Sequence, residues 1–179
     1  IDGVQASTLA GNGFKITIKA YGNDDAIKSD YTGTIAFTSS DTKGLIPSTY
    51  TFTASDRGSK DFVINYKTAG SQTVTITDWT AKITQKSAVT NVMAGAATSL
   101  TVSPQNAEVN PGESVTFKTV AKDKFDNEFD VTSMTKWSID KEAAGTWSAS
   151  SYKAQNTGVW TITGTYSSLV DGETLTVKQ

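Results

Sequence analysis

Histidine and cysteine are both missing from the 179 residues of this chain. Without histidine it lacks the commonest general base and the commonest transition-metal ligand. Without cysteine it has no thiol nucleophile, no thiolate zinc site and no disulfide framework, so packing alone must hold it together. Serine–histidine and cysteine–histidine catalysis are thereby excluded. No apolar run approaches the ~20 residues of a membrane-crossing helix, and no membrane insertion is expected. A net charge of −2 provides no basic field for a polyphosphate backbone, which removes nucleic acid as a partner. Neither a phosphate-cradling glycine loop nor a Gly-x-Ser-x-Gly elbow occurs. The chain opens at Ile1-Asp2-Gly3 without a basic and apolar leader, so any export signal of a parent protein is expected to precede it.

What is present is short alternation. Runs rich in Thr, Val, Ile, Phe and Tyr place apolar residues at every second position and end in Gly, Asn, Asp and Ser clusters, the pattern of antiparallel strands with one buried face. Phe14, Ile16 and Ile18 share one strand face, followed by the turn Tyr21-Gly22-Asn23-Asp24. Ile35 and Phe37, Tyr50 and Phe52, Phe62 to Tyr66, Val74 and Ile76, and Val89 to Val92 continue the series. A second series follows in Leu100 and Val102, Val115 to Ala121, Trp137 and Ile139, Trp147, Tyr152 and Ala154, Trp160 to Tyr166, and Leu175 and Val177. Nothing long has helical period.

The second series repeats the first. Phe14–Ala20 aligns with Val115–Ala121, each after a glycine-bearing turn, and Thr68–Thr75 aligns with Asn156–Thr163. Repeats of this size read as two domains, and the boundary falls in Met93-Ala94-Gly95-Ala96-Ala97, giving domains 1–95 and 96–179. The expected fold class is all-β, with two tandem immunoglobulin-like β-sandwich domains.

Stretches such as Gly33–Asp41, Tyr50–Asp56 and Lys67–Asp78 in the first half, and Leu100–Pro104 with Trp137-Ser138 in the second, resemble bacterial immunoglobulin-like repeats of the invasin and intimin type, found in S-layer proteins, adhesins and multimodular secreted hydrolases. The resemblance covers nearly the whole chain. It implies an extracellular, cell-surface or cell-envelope location.

Two constellations are candidates for binding. Asp123–Asp130 gathers four carboxylates and an amide in eight residues, and hard cations prefer oxygen ligands in a flexible loop; Asp123, Asp126 and Asp130 are the ligands a calcium ion would take. The simpler expectation, favoured by the residue types, is a solvated turn in which Asp and Asn bond the local backbone. Of the four tryptophans, Trp137 and Trp160 are expected in the core, whereas Trp79 and Trp147 are expected exposed, as a sugar- or protein-binding pair. A pair of acids for glycoside hydrolysis needs only two of the 18 Asp and Glu residues, but no cleft is indicated. The sequence therefore reads as a non-catalytic spacer that requires no cofactor, with an S-layer slightly ahead of an adhesin stalk. Its expected partners are the neighbouring domains of the parent surface protein. The alternatives are a module that binds cell-wall or host polysaccharide or a host protein, and an accessory domain of a secreted glycoside hydrolase.

Overall fold

Strand alternation decides the architecture: most of the short runs bury their even or odd face, and the only helical pieces are single 3-10 turns at 54–56, 132–134 and 141–143. The computed structural model describes residues 1–179. The chain divides into two compact units, Ile1–Gly95 and Ala96–Gln179, each described by itself below.

In unit 1 the strands are β1 (Ser7–Leu9), β2 (Gly13–Lys19), β3 (Thr34–Ser39), β4 (Thr49–Thr51), β5 (Ser59–Asn65), β6 (Gly70–Gln72), β7 (Val74–Asp78), β8 (Ile83–Lys86) and β9 (Thr90–Met93). β2 pairs antiparallel with β5 along its whole length, from Gly13↔Asn65 to Lys19↔Ser59. The other layer contains the ladders β4-β3-β7-β8 and β1-β9-β6. These ladders meet where β6 gives way to β7 at Thr73. There the Ser40 hydroxyl accepts the Thr73 N–H, and the Ser87 hydroxyl accepts the Val74 N–H. Side-chain oxygens thus satisfy the backbone at the irregularity.

Between the layers lie Phe14, Ile16 and Ile18 of β2 and Phe62 and Ile64 of β5, facing Ile35, Phe37, Val74 and Ile76. Phe37 and Phe62 meet edge to face with ring centroids 4.8 Å apart. Burying each such side chain stabilises the fold by about 1.5–3 kcal/mol.

Unit 2 contains β10 (Ala97–Ser103), β11 (Ala107–Val109), β12 (Ser114–Thr116), β13 (Lys118–Asp123), β14 (Glu128–Asp130), β15 (Lys136–Ile139), β16 (Thr146–Ser148), β17 (Ser151–Lys153), β18 (Gly158–Tyr166) and β19 (Leu169–Val177). One layer carries β10-β13-β14 and β12-β17-β16; the other is β11-β19-β18-β15. Val102, Phe117, Tyr152, Ile162 and Leu175 are fully buried between them. Both units are immunoglobulin-like β-sandwiches, each closed by its own core.

A feature common to both units is a parallel pairing between a short strand near the start of the unit and its last strand; in unit 1 the short strand is the first, and in unit 2 it is the second, after β10, which pairs antiparallel with β13. β1 runs parallel to β9, Ser7↔Asn91 to Leu9↔Met93, and β11 runs parallel to β19, Ala107↔Leu175 to Val109↔Val177. Flanking bonds extend the first pair: Asn91 N–H to Ala6 C=O at 2.9 Å and Ala10 N–H to Met93 C=O at 2.8 Å. The Thr90 hydroxyl adds a bond to Gln5 C=O at 2.8 Å. In unit 2 the Lys178 N–H bonds Val109 C=O at 2.9 Å, and the Lys178 ammonium pairs with Glu108 at 2.8 Å.

Candidate functional site

The acidic loop joins β13 to β14. Asp123 is buried, and its carboxylate closes the loop on itself: Oδ1 accepts the N–H of Phe125 at 2.8 Å and of Asn127 at 3.1 Å, while Oδ2 accepts Asn127 Nδ2 at 2.8 Å. Asp126 takes the left-handed conformation (φ 67°) that aspartate tolerates. It is exposed, as is Asp130, whose Oδ1 accepts the Thr132 N–H. Glu128 is engaged by Lys122 at 2.9 Å. The structure thus brings Asn127 to Asp123, and no three acidic side chains converge into a group that could hold a metal ion. The bonds to Asp123 fix the loop from within, as Asx turns do. Calcium or a chelator is accordingly expected to leave the melting profile unchanged within about 1 °C, and a rise of several degrees with calcium would restore the metal reading.

The tryptophans separate. Trp79, at the turn between β7 and β8, is 77% exposed. Its neighbour Asp78 is buried and organises that turn, accepting the N–H groups of Thr80 at 2.8 Å and Ala81 at 2.9 Å and the hydroxyl of Tyr31. The Tyr31 bond, with help from the turn amides, outweighs burial and holds Asp78 below the ordinary carboxylate range. Burial, and then the bond to Asp78, push the Tyr31 hydroxyl well above the usual phenol range. The pair is a stable structural clasp, with Tyr31 protonated as donor.

Trp147, expected exposed, is instead half-buried in unit 2. It sits between Thr146 and Ser148 on β16, and strand alternation that exposes those two turns it inward. Its ring stacks on Trp137 with centroids 5.8 Å apart and planes 22° from parallel, and lies 5.0 Å from the Tyr152 ring. β15 and β16, which carry the two tryptophans, are the outer strands of opposite layers, and the stacked indoles fill the seam between them. Trp160 packs against the same core, with its N–H donated to Asn156 C=O at 3.0 Å. Trp147 is thus part of the packing of unit 2, and Trp79 is an exposed side chain of unit 1. Trp147→Ala is expected to cost unit 2 about 2 kcal/mol, roughly half the loss for a fully buried ring, and Trp79→Ala less than about 0.5 kcal/mol. Urea titration of the two variants checks this; equal losses would contradict it.

Several of the remaining acids are engaged structurally. Asp2, Asp30, Asp56 and Asp61 pair with Lys19, Lys28, Lys60 and Lys15. Asp41, which alternation did not single out, is buried and accepts four hydrogen bonds, from the Lys43, Lys67 and Thr68 amides and the Thr68 hydroxyl. It ties the end of β3 to the segment before β6. An Asp at the close of a strand is the only trace of this in the sequence.

Similar solved structures include invasin, a bacterial integrin-binding protein, at 16% identity and TM-score 0.56 over 98% of this chain and 38% of that one. A C-terminal 282-residue fragment of intimin in complex with the intimin-binding domain of the translocated intimin receptor matches at 14% identity and TM-score 0.39, over 96% of this chain and 61% of the fragment. Domains 5–6 of the S-layer protein SbsC match at 16% identity and TM-score 0.37, over 99% and 96%. The invasin likeness is one of fold, and it agrees with the bacterial immunoglobulin-like resemblance carried by the sequence. No protein-family model and no curated protein sequence matches the chain.

Proposed function

We propose that this chain is a non-catalytic, load-bearing spacer of an extracellular bacterial cell-surface protein, linking the domains on either side of it in an S-layer or an adhesin stalk. The observation that carries this reading is the parallel pairing of a short early strand, β1 or β11, with the last strand of its unit. Tension applied through the ends of unit 1 pulls β1 backward along its axis and β9 forward along its own; in unit 2 it does the same to β11 and β19 once β10 has left β13. The hydrogen bonds between them are then loaded together in shear and must fail together, whereas a hairpin pulled open loses its bonds one at a time. Salt-bridged and hydroxyl-capped ends, Glu108–Lys178 and Thr90 to Gln5, add to the same pairs. The self-contained acidic loop and the engaged carboxylates support a structural role rather than a chemical one. Stretching single molecules between their termini tests the proposal.

A further inference from the structure

One sheet edge in unit 1 is left open. β8 ends the β4-β3-β7-β8 ladder, no strand pairs with its outer side, and all four of its residues are exposed. The Ser87 N–H bonds the Val74 carbonyl, so the alternation of an antiparallel ladder turns the backbone groups of Ile83 and Gln85 toward β7 and those of Thr84 and Lys86 outward. The Lys86 carbonyl takes a bond from Gln85 Nε2 at 3.2 Å. The N–H and C=O of Thr84 and the N–H of Lys86 remain for another chain, and such an edge is a template for strand addition.

Beside that edge, within unit 1, lies a cavity of about 430 Å³. Ile18, Ile35, Phe52 and Ile76 form its apolar lining, and Ile83 and Gln85, the two β8 side chains of one face, border it. Lys82 precedes the strand and Lys86 ends it, and neither takes part in any of the ion pairs, whereas Lys19 and Lys28 at the same cavity are engaged by Asp2 and Asp30. The edge therefore presents two uncompensated positive charges. β8 of a second copy would set lysine against lysine, which is unfavourable across a strand pair.

We propose that β8 receives an extended acidic peptide segment, which adds a strand to the sheet through Thr84 and Lys86 and lowers one apolar side chain into the cavity. Backbone pairing supplies attachment, the cavity selects an apolar residue, and Lys82 and Lys86 select acidic flanks. This surface is independent of the parallel strand pairs on which the spacer reading rests.

The test is a nuclear magnetic resonance titration of the isotope-labelled full chain with a short capped peptide alternating threonine and leucine and ending in glutamates. The expected result is shifts at the Thr84 and Lys86 amides and the Ile35 and Ile83 methyl groups. Methylating one peptide amide that faces β8 should weaken binding about fivefold, the equivalent of one backbone hydrogen bond. Lys82→Glu with Lys86→Glu should abolish it for the acidic peptide and transfer it to a lysine-ended one. No shift at millimolar peptide overturns the proposal, as do shifts indifferent to amide methylation. Concentration-dependent shifts at β8 without peptide would overturn it in favour of self-association.

Discussion

Phe117→Ala is expected to remove about 3–5 kcal/mol from unit 2, out of a total that for a domain of this kind is about 5–15 kcal/mol. Phe117 has no exposed surface. Its ring lies 5.8 Å from that of Trp137 and 6.1 Å from that of Trp147, so truncation removes the floor on which the stacked indoles rest. The site cannot collapse readily, because Phe117 joins β12 to β13 and its own N–H is held by the Ser150 carbonyl at 2.9 Å. Calorimetry of the full chain should show one transition moved down by more than about 10 °C and the other in place. A parallel fall of both would mean that the two cores melt as one.

Asp41→Ala should be comparably severe in unit 1. Three backbone N–H groups and a threonine hydroxyl lose their acceptor at a buried position, at about 1–3 kcal/mol for each donor left without a partner. Asp41→Asn is no remedy, since both oxygens face donors and an amide offers one of them a second N–H. The same bonds set the pH dependence. Burial raises the Asp41 pKa, but the Thr68, Lys67 and Lys43 donors outweigh it and hold it below the ordinary value. A depressed carboxylate contributes stability above its unfolded pKa, about 3.9, and loses that contribution as pH falls through the folded value. The urea midpoint of unit 1 should thus be flat from pH 7 to 5 and fall below about pH 4, less steeply in Asp41→Asn. An equal acid slope in the variant would show that Asp41 is not the group responsible.

The strands that were legible in the sequence are those whose inner faces carry large apolar residues: Phe14 to Ile18, Ile35 with Phe37, Trp137 with Ile139, and Trp160 with Ile162. Their alternation reflects burial, and burial is what pattern detects. β8 was not legible, because Ile83 to Lys86 are all exposed and a strand without an inner face has no period. β1, β11 and β14 are three residues long, too short to show one, although β1 and β11 make the parallel pairs on which the mechanical reading depends. Trp147 was misplaced for a different reason: it is the single apolar residue of a three-residue strand, between Thr146 and Ser148, and one apolar residue has no alternation to say which face it takes. In the acidic loop, residue types indicated both a cation and a turn. Only the positions of the Phe125 and Asn127 amides around Asp123 show how the turn satisfies that carboxylate.

Stretching the intact chain between its termini measures the central claim directly. The account predicts two separate unfolding steps, each lengthening the chain by about 30 nm, the extended length of a unit of this size. Both steps should require markedly higher force than the same chain pulled from Thr34 and Thr51, the open end of the β3–β4 hairpin, a geometry that peels β3 from β4 one bond at a time. Glu108→Ala should lower only one of the two forces. A single step of about 60 nm, or unfolding from the termini at forces no greater than in the peeling geometry, would contradict the account.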